Sequence, residues 1–335
     1  MHNKKFDIVQ QYIEQKEYEG FIVFLDNNIR YLTGIQTNGC LFLGEDPFLL
    51  VPLLNYDLVS PHFENTITYF HQKVRNDTNL RVGSVYSVLK EQLKSRNVTK
   101  VFVDYISPVK AKLLDINYKN SEKIEKMRMI KDSNEISLIK KATEITNEIL
   151  DNIEFSQKTD RELIAELVHK ARIKADDISY NPIATSGKNT RYPHPNIIDK
   201  RLSEDPVLLD FGVKHKGYCA DITQTYSKKH KPILEFLDNL ILEVLDEINI
   251  GMKFYEIDEI VRKKLKRRNY DSNLIHLAGH GVGLEVHERP NMHNESKDSV
   301  ENGTVFALEP GIYFEDFGLR IEKMIAIQNG KSQIL

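Results

Sequence analysis

VLLDFGVKHKGYCADITQTY, residues 207–226, and VFALEPGIYFEDFGLRIEK, residues 305–323, decide how this chain folds. Each is an apolar strand pattern that breaks at a polar turn and returns as a second strand. VKHKG supplies the first turn and FEDFG the second. Facing residues of an antiparallel pair have sequence numbers of constant sum, and side chains alternate faces. Asp210 then faces Asp221 if the chain reverses between His215 and Lys216, and Glu309 faces Glu322 if it reverses between Glu315 and Asp316. Two hairpins thus each present a pair of acids from strands that are otherwise apolar.

Buried carboxylates without partners are costly, and four together would repel one another and take up protons. Two divalent cations bring four positive charges and remove that conflict. The alternative is that each acid pairs with a surface Lys or Arg. Any one acid alone favours that alternative; the two matched pairs do not.

HLAGHGVGLEVHE, residues 276–288, adds three histidines: His276, His280 and His287. The glycines at 279, 281 and 283 let another group approach the backbone closely. His276 and His280 are expected on one face of one strand, with His287 after a bend. A phosphate loop is excluded, because residue 286 is not glycine and no Lys-Ser/Thr pair follows. Arg320 shares the face of Glu322 and lies opposite Gly311, which leaves room for its side chain. Thr223 and Thr225 share the face of Asp221, where a hydroxyl could orient that carboxylate. His194 sits in a proline-bounded loop, Pro193-His194-Pro195.

Outward from these strands the chain divides in two. Residues 1–121 alternate strand signals (GFIVFL, CLFL, PFLLVPLL, TITYF, VFVDY) with helical stretches, as in an α/β domain, and end in a charged segment. Residues 122–335 open on two capped helices, beginning at Asp132/Glu135 and Thr159/Glu162, followed by strands. Two helices and two sets of strands then recur, KPILEFLDNLILEVLDEI and YEIDEIVRKKLKRR preceding the strands around His280, Glu309 and Glu322. That order hints at an internal pseudo-twofold.

Bulk composition narrows the function classes. The 335 residues carry 46 basic and 49 acidic side chains, a net charge of −3, so no basic field favours nucleic acid. Two cysteines, Cys40 and Cys219, form no disulfide framework or zinc spacing and suit a reducing compartment. No apolar run is long enough for a membrane span, and the charged N-terminus lacks the core of a signal peptide, so a cytoplasmic location is expected. A dinucleotide enzyme is suggested only by the α/β start, which has no glycine-rich fingerprint.

LLDFG, ADITQT, GHGVGLEVHE, LEPGIY and GLRIEK resemble, in order and spacing, the motifs of the pita-bread metallopeptidases. That group includes prolidases, Xaa-Pro aminopeptidases, methionine aminopeptidases and creatinase. NNIRYLTGI, residues 27–35, is similar to a segment of its proline-specific branch. The resemblance implies an α+β pita-bread catalytic domain of two αα-ββ halves, preceded by the smaller α/β domain. It implies that Asp221 and Glu322 bridge two divalent ions, that Asp210 completes one metal site, and that His280 with Glu309 completes the other. The ions would be manganese, cobalt or zinc, between which mixed carboxylate and imidazole ligands do not choose.

The same resemblance gives His194, His276 and His287 contact with substrate, and Glu309 the proton relay to the leaving imide nitrogen. Arg320 matches a family arginine expected to bind substrate. The implied reaction is hydrolysis of the bond between an N-terminal residue and proline, by an Xaa-Pro dipeptidase or, on longer peptides, an Xaa-Pro aminopeptidase. Homodimers are usual in the group. Methionine aminopeptidases typically lack the α/β domain, and the metal-free amidinohydrolase creatinase is opposed by the complete ligand set. The chain departs from the group at Gln224, Pro195 and Lys323, and at Asn291, where many dipeptidases carry an arginine for the substrate carboxylate. Arg289, two residues earlier, is the candidate replacement.

Overall fold

The computed structural model describes residues 4–73 and 80–335, which form two compact units, Met1–Met127 and Arg128–Leu335. The first is built on a seven-stranded mixed sheet in the order Leu80–Val82, Thr66–Phe70, Phe48–Pro52, Cys40–Gly44, Gly20–Val23, Lys100–Val103, Asn117–Asn120. Only the pairings of Cys40–Gly44 with its two neighbours are antiparallel. Leu50, Phe42, Ile22 and Val101 pack below the helix Val85–Ser95 through its Val88, Leu89 and Leu93. The strand at Phe48 stops at Pro52 rather than running on through Leu53 and Leu54, which begin a short 3₁₀ turn. Asn117–Asn120, an edge strand with every residue exposed, has no apolar pattern to announce it.

The second unit repeats one plan twice. The helices Ser133–Asp151 and Asp160–Lys174 both start on reciprocal caps: the Glu135 N–H donates to Asp132 at 2.9 Å, and the Asp132 N–H donates back to Glu135 at 2.9 Å. Short sheets follow, one of Ile183–Ser186, Val207–Phe211 and Ile222–Tyr226, the other of Asp177–Ile178, Val213–His215 and Tyr218–Cys219. Then come the helices Lys231–Glu247 and Phe254–Lys266. Their apolar faces, including Leu237, Ile241, Val244, Phe254, Ile257 and Val261, bury against Phe306, Leu308, Ile325 and Ile327. Those residues belong to the sheet Gly279–Gly281, Val305–Leu308, Lys323–Gln328, Lys331–Ile334, which continues into the hairpin Gly311–Tyr313/Gly318–Arg320.

The second hairpin has the register its sequence predicts: Gly311 faces Arg320, and Leu308 faces Lys323. The first does not. His215 pairs with Tyr218, so the turn is Lys216-Gly217, and Asp210 faces Thr223 instead of Asp221. Lys216 and Gly217 have φ of 46° and 87°, the left-handed pair that suits a two-residue hairpin. A slip of two keeps both acids on one face, so they are diagonal neighbours.

Three of the acids stand where a ladder is interrupted: Asp221 between Cys219 and Ile222, Glu309 between Leu308 and Gly311, Glu322 between Arg320 and Lys323. At the first break, Gly212 lies against the backbone of Ala220, where a Cβ would come 1.9 Å from the carbonyl oxygen. Gly212→Ala is therefore expected to destabilise the protein by about 1–3 kcal/mol. A urea midpoint equal to wild type would show that the break tolerates side-chain bulk.

Candidate metal centre and active site

Asp210, Asp221, His280, Glu309 and Glu322 converge at the bottom of a cavity of about 630 Å³. Asp210, Asp221 and Glu322 are buried. The His280 Nε2 lies 3.4 Å from Asp221 Oδ2, 3.7 Å from Glu309 Oε1 and 3.8 Å from Glu322 Oε1. Ligand atoms within 4.8 Å of one another group as Asp210–Asp221–Glu322, as His280–Glu309–Glu322 and as Asp221–His280–His287. Asp221, His280 and Glu322 each belong to two of these overlapping triads.

The electrostatics state the need for a cation. Burial, then the neighbouring Asp221, Glu309 and Asp210 carboxylates, push Glu322 well above the usual carboxylate range. Burial raises Asp221 to about 6 despite its contact with His280. Burial opposes protonation of His280, but the hydrogen bond and charge of Asp221 carry it up to about 9. Burial and mutual repulsion thus disfavour the charged carboxylates here, a cost that divalent cations would offset. The donor set fits such ions: hard carboxylate oxygens in excess, with a borderline nitrogen.

Side chains around the acids fix their direction. Arg320, buried, donates from Nη2 to Asp210 Oδ2 at 2.6 Å, from Nη1 to Tyr313 Oη at 2.8 Å and from Nε to Thr223 Oγ1 at 3.1 Å. A further Nη1 bond of 3.3 Å reaches the Pro193 carbonyl. Arg320 thus orients Asp210 and at the same time lines the cavity. The Thr223 hydroxyl donates to Glu322 Oε2 at 2.7 Å, and Thr225 donates to the Arg320 carbonyl at 2.7 Å. Both threonines serve the opposite half of the unit, not Asp221 as their strand face suggested.

Tyr180 is the residue the sequence reading missed. Its buried hydroxyl lies 2.5 Å from Asp221 Oδ1 and also contacts Asp210 Oδ1, bracing the two acids against each other. It stands outside any strand, next to Asn181-Pro182, and no periodicity marks it.

The histidines take separate places on the cavity wall. His276 precedes the strand Gly279–Gly281 rather than sharing it, and its Nε2 meets the Tyr313 hydroxyl at 3.0 Å, with Nδ1 3.8 Å from Glu309. His194 lines the mouth and is exposed. The His287 ring stands 4.1 Å from that of His280, at 76°. Apolar lining comes from Ile183, Pro193, Pro195, Leu277 and Val286. Asn291 lines the cavity, whereas Arg289 does not; its guanidinium is bonded to Asp298. The candidate clamp on the substrate carboxylate is thus not brought to the site.

Residues 137–329 match the model of metallopeptidase family M24, and residues 6–130 that of the creatinase/prolidase N-terminal domain. Along 97% of its length the chain is 32% identical to an uncharacterized peptidase of Methanocaldococcus jannaschii, covering 93% of that protein. It is 28% identical to the Xaa-Pro dipeptidase of Pyrococcus horikoshii, over 99% of this chain and 97% of the relative. Among solved structures, the prolidase of Thermococcus sibiricus superposes with a TM-score of 0.85 at 26% identity, covering 100% of this chain and 96% of that one.

Proposed function

As the chain belongs to metallopeptidase family M24, with the pita-bread fold, we propose that it is an Xaa-Pro dipeptidase using two divalent ions. The observation that carries this is the closed set of Asp210, Asp221, His280, Glu309 and Glu322 beneath a partly apolar cavity. Asp221 and Glu322 would bridge the ions, Asp210 would complete one site, and His280 with Glu309 the other. Manganese, cobalt and zinc all suit these donors. When bound, such ions lower the pKa of water and polarise a carbonyl.

The chain's own groups supply the rest. The Glu309 carboxylate, 18% exposed and reachable from the cavity, takes a proton from the attacking water and returns it to the proline nitrogen as the C–N bond breaks. His287 donates to the oxygen on which negative charge develops. His276 and His194 frame the substrate, and Ile183, Pro193 and Val286 accept its apolar parts. Tyr180, Arg320 and Thr223 keep the acids in place. The enzyme would act as a homodimer in the cytoplasm; two buried free thiols suit a reducing compartment, and no described helix is long and apolar enough to cross a membrane.

A second reading, an Xaa-Pro aminopeptidase for longer peptides, is favoured by one observation. Asn291 lines the cavity while Arg289 is held by Asp298, and a desolvated carboxylate strongly prefers an arginine fork. The test is kcat/KM for an Xaa-Pro dipeptide against an Xaa-Pro-Yaa-Zaa tetrapeptide on one preparation. The dipeptide is expected to be preferred; a clear preference for the tetrapeptide overturns the dipeptidase. Arg289→Ala should leave the dipeptide KM little changed, and a rise of tenfold or more would restore Arg289 as the clamp.

A further inference from the structure

Beneath the loop that carries His287 lies a cluster of charges without a role in the chemistry so far described. Glu288 points away from the cavity. Its Oε1 accepts from Lys131 Nζ at 2.9 Å, and its Oε2 contacts Arg128 Nη2 and accepts from the Glu285 N–H at 3.2 Å. The Arg128 Nη2 also reaches Glu285 Oε2 at 2.6 Å. The three central side chains are nearly sealed from water, at 3% exposure for Arg128, 1% for Lys131 and 6% for Glu288. Two cations and two carboxylates balance. Buried, paired and hydrogen-bonded on both oxygens, Glu288 is held in one geometry.

That geometry sets the backbone on either side. The Glu288 N–H donates to the Gly281 carbonyl at 3.0 Å, and the Gly281 N–H donates to the Pro290 carbonyl at 2.8 Å, tying the loop to the strand of His280. Gly281 and Gly283 are what this fold-back demands. A Cβ on Gly281 would come 2.3 Å from the Arg289 backbone, and one on Gly283 would come 2.3 Å from Glu288 Oε1. The spacing that superficially suggests a phosphate loop is therefore the imprint of a chain closing on its own glutamate. His287, by contrast, has no hydrogen bond to either ring nitrogen among the described residues. Apart from packing against the His280 ring, the imidazole takes its direction from the backbone next to it.

We propose that Arg128, Lys131 and Glu288 are positioning residues for His287, holding its ring at the developing oxyanion. The proposal rests on the reading of His287 as the oxyanion donor. Outer partners that orient a functional side chain typically contribute about 10–100-fold.

The test is a double-mutant cycle on the metal-loaded enzyme, with Glu288→Gln, His287→Ala and both together. Glu288→Gln should lower kcat for an Xaa-Pro dipeptide by about 10–100-fold, with KM within about threefold and metal content unchanged. In the His287→Ala background the same change should have no further effect on kcat. A loss of equal factor in both backgrounds, or wild-type kcat in Glu288→Gln, overturns the positioning role. Wild-type kcat in His287→Ala overturns that role too, and with it the assignment of His287, while leaving the dipeptidase reading standing. Should Glu288→Gln not fold, Arg128→Lys, which keeps the charge but loses the guanidinium geometry, enters the same cycle with the same criteria.

Discussion

Glu309→Gln is expected to lower kcat for an Xaa-Pro dipeptide by on the order of 10²–10⁴. The substitution preserves size and one donor oxygen but removes the basic oxygen that accepts the proton. Glu309 is the acid best placed for that task. Asp210 is committed to Arg320 and Tyr180, Asp221 to Tyr180, and Glu322 to Thr223. Glu309 stands at 18% exposure and lines the cavity, with His276, His280 and Glu322 nearby. Because it is also a proposed metal ligand, the variant must be compared with wild type at matched metal content. Near-normal turnover under those conditions would mean that another group relays the proton.

Removing divalent ions should have the larger effect: complete loss of hydrolysis, reversed by adding manganese, cobalt or zinc. Elemental analysis should find about two ions per chain. The metal-free protein should also melt at a lower temperature. Glu322 and Asp221 then stay buried beside other carboxylates, and the folded state loses the stabilisation that a ligand bound only to it provides, about 2.7 kcal/mol at 100 times Kd. Full activity in excess chelator, with no metal found, would end the metallopeptidase reading and revive that of a metal-free amidinohydrolase.

The positions that converge on the cavity were legible because strand periodicity constrains them twice. Each acid sits in a strong apolar pattern, and the second hairpin, with its four-residue loop Phe314–Phe317, has the register that a constant sum gives. The first was displaced by two residues, because register depends on which pair adopts positive φ, and Lys-Gly announces that less clearly than Asn-Gly. Parity rescued the inference: a slip of two leaves every side chain on its face. What could not be read was contact between distant segments. Tyr180 has no pattern around it, and the partners of Arg320 and Arg289 were decided by Asp210 and Asp298, remote in one case and across a tight loop in the other. A long cationic side chain reaches many places, and only the fold selects one.

The seam between the two halves has a consequence for how the site comes into being. Thr223 meets Glu322 across 99 residues of chain, and Arg320 meets Asp210 across 110. Neither half holds a complete set of ligands, so no nascent fragment ending before residue 322 can possess the centre. Closing loops of that length is slow compared with forming helices. Ion capture should therefore report the last stage of assembly, and a lanthanide or cobalt chromophore added during refolding would appear only after helical signals have saturated. The centre doubles as a clasp between two structurally similar lobes, and a cut in the connector at residues 227–230 would turn it into a sensor of their reunion.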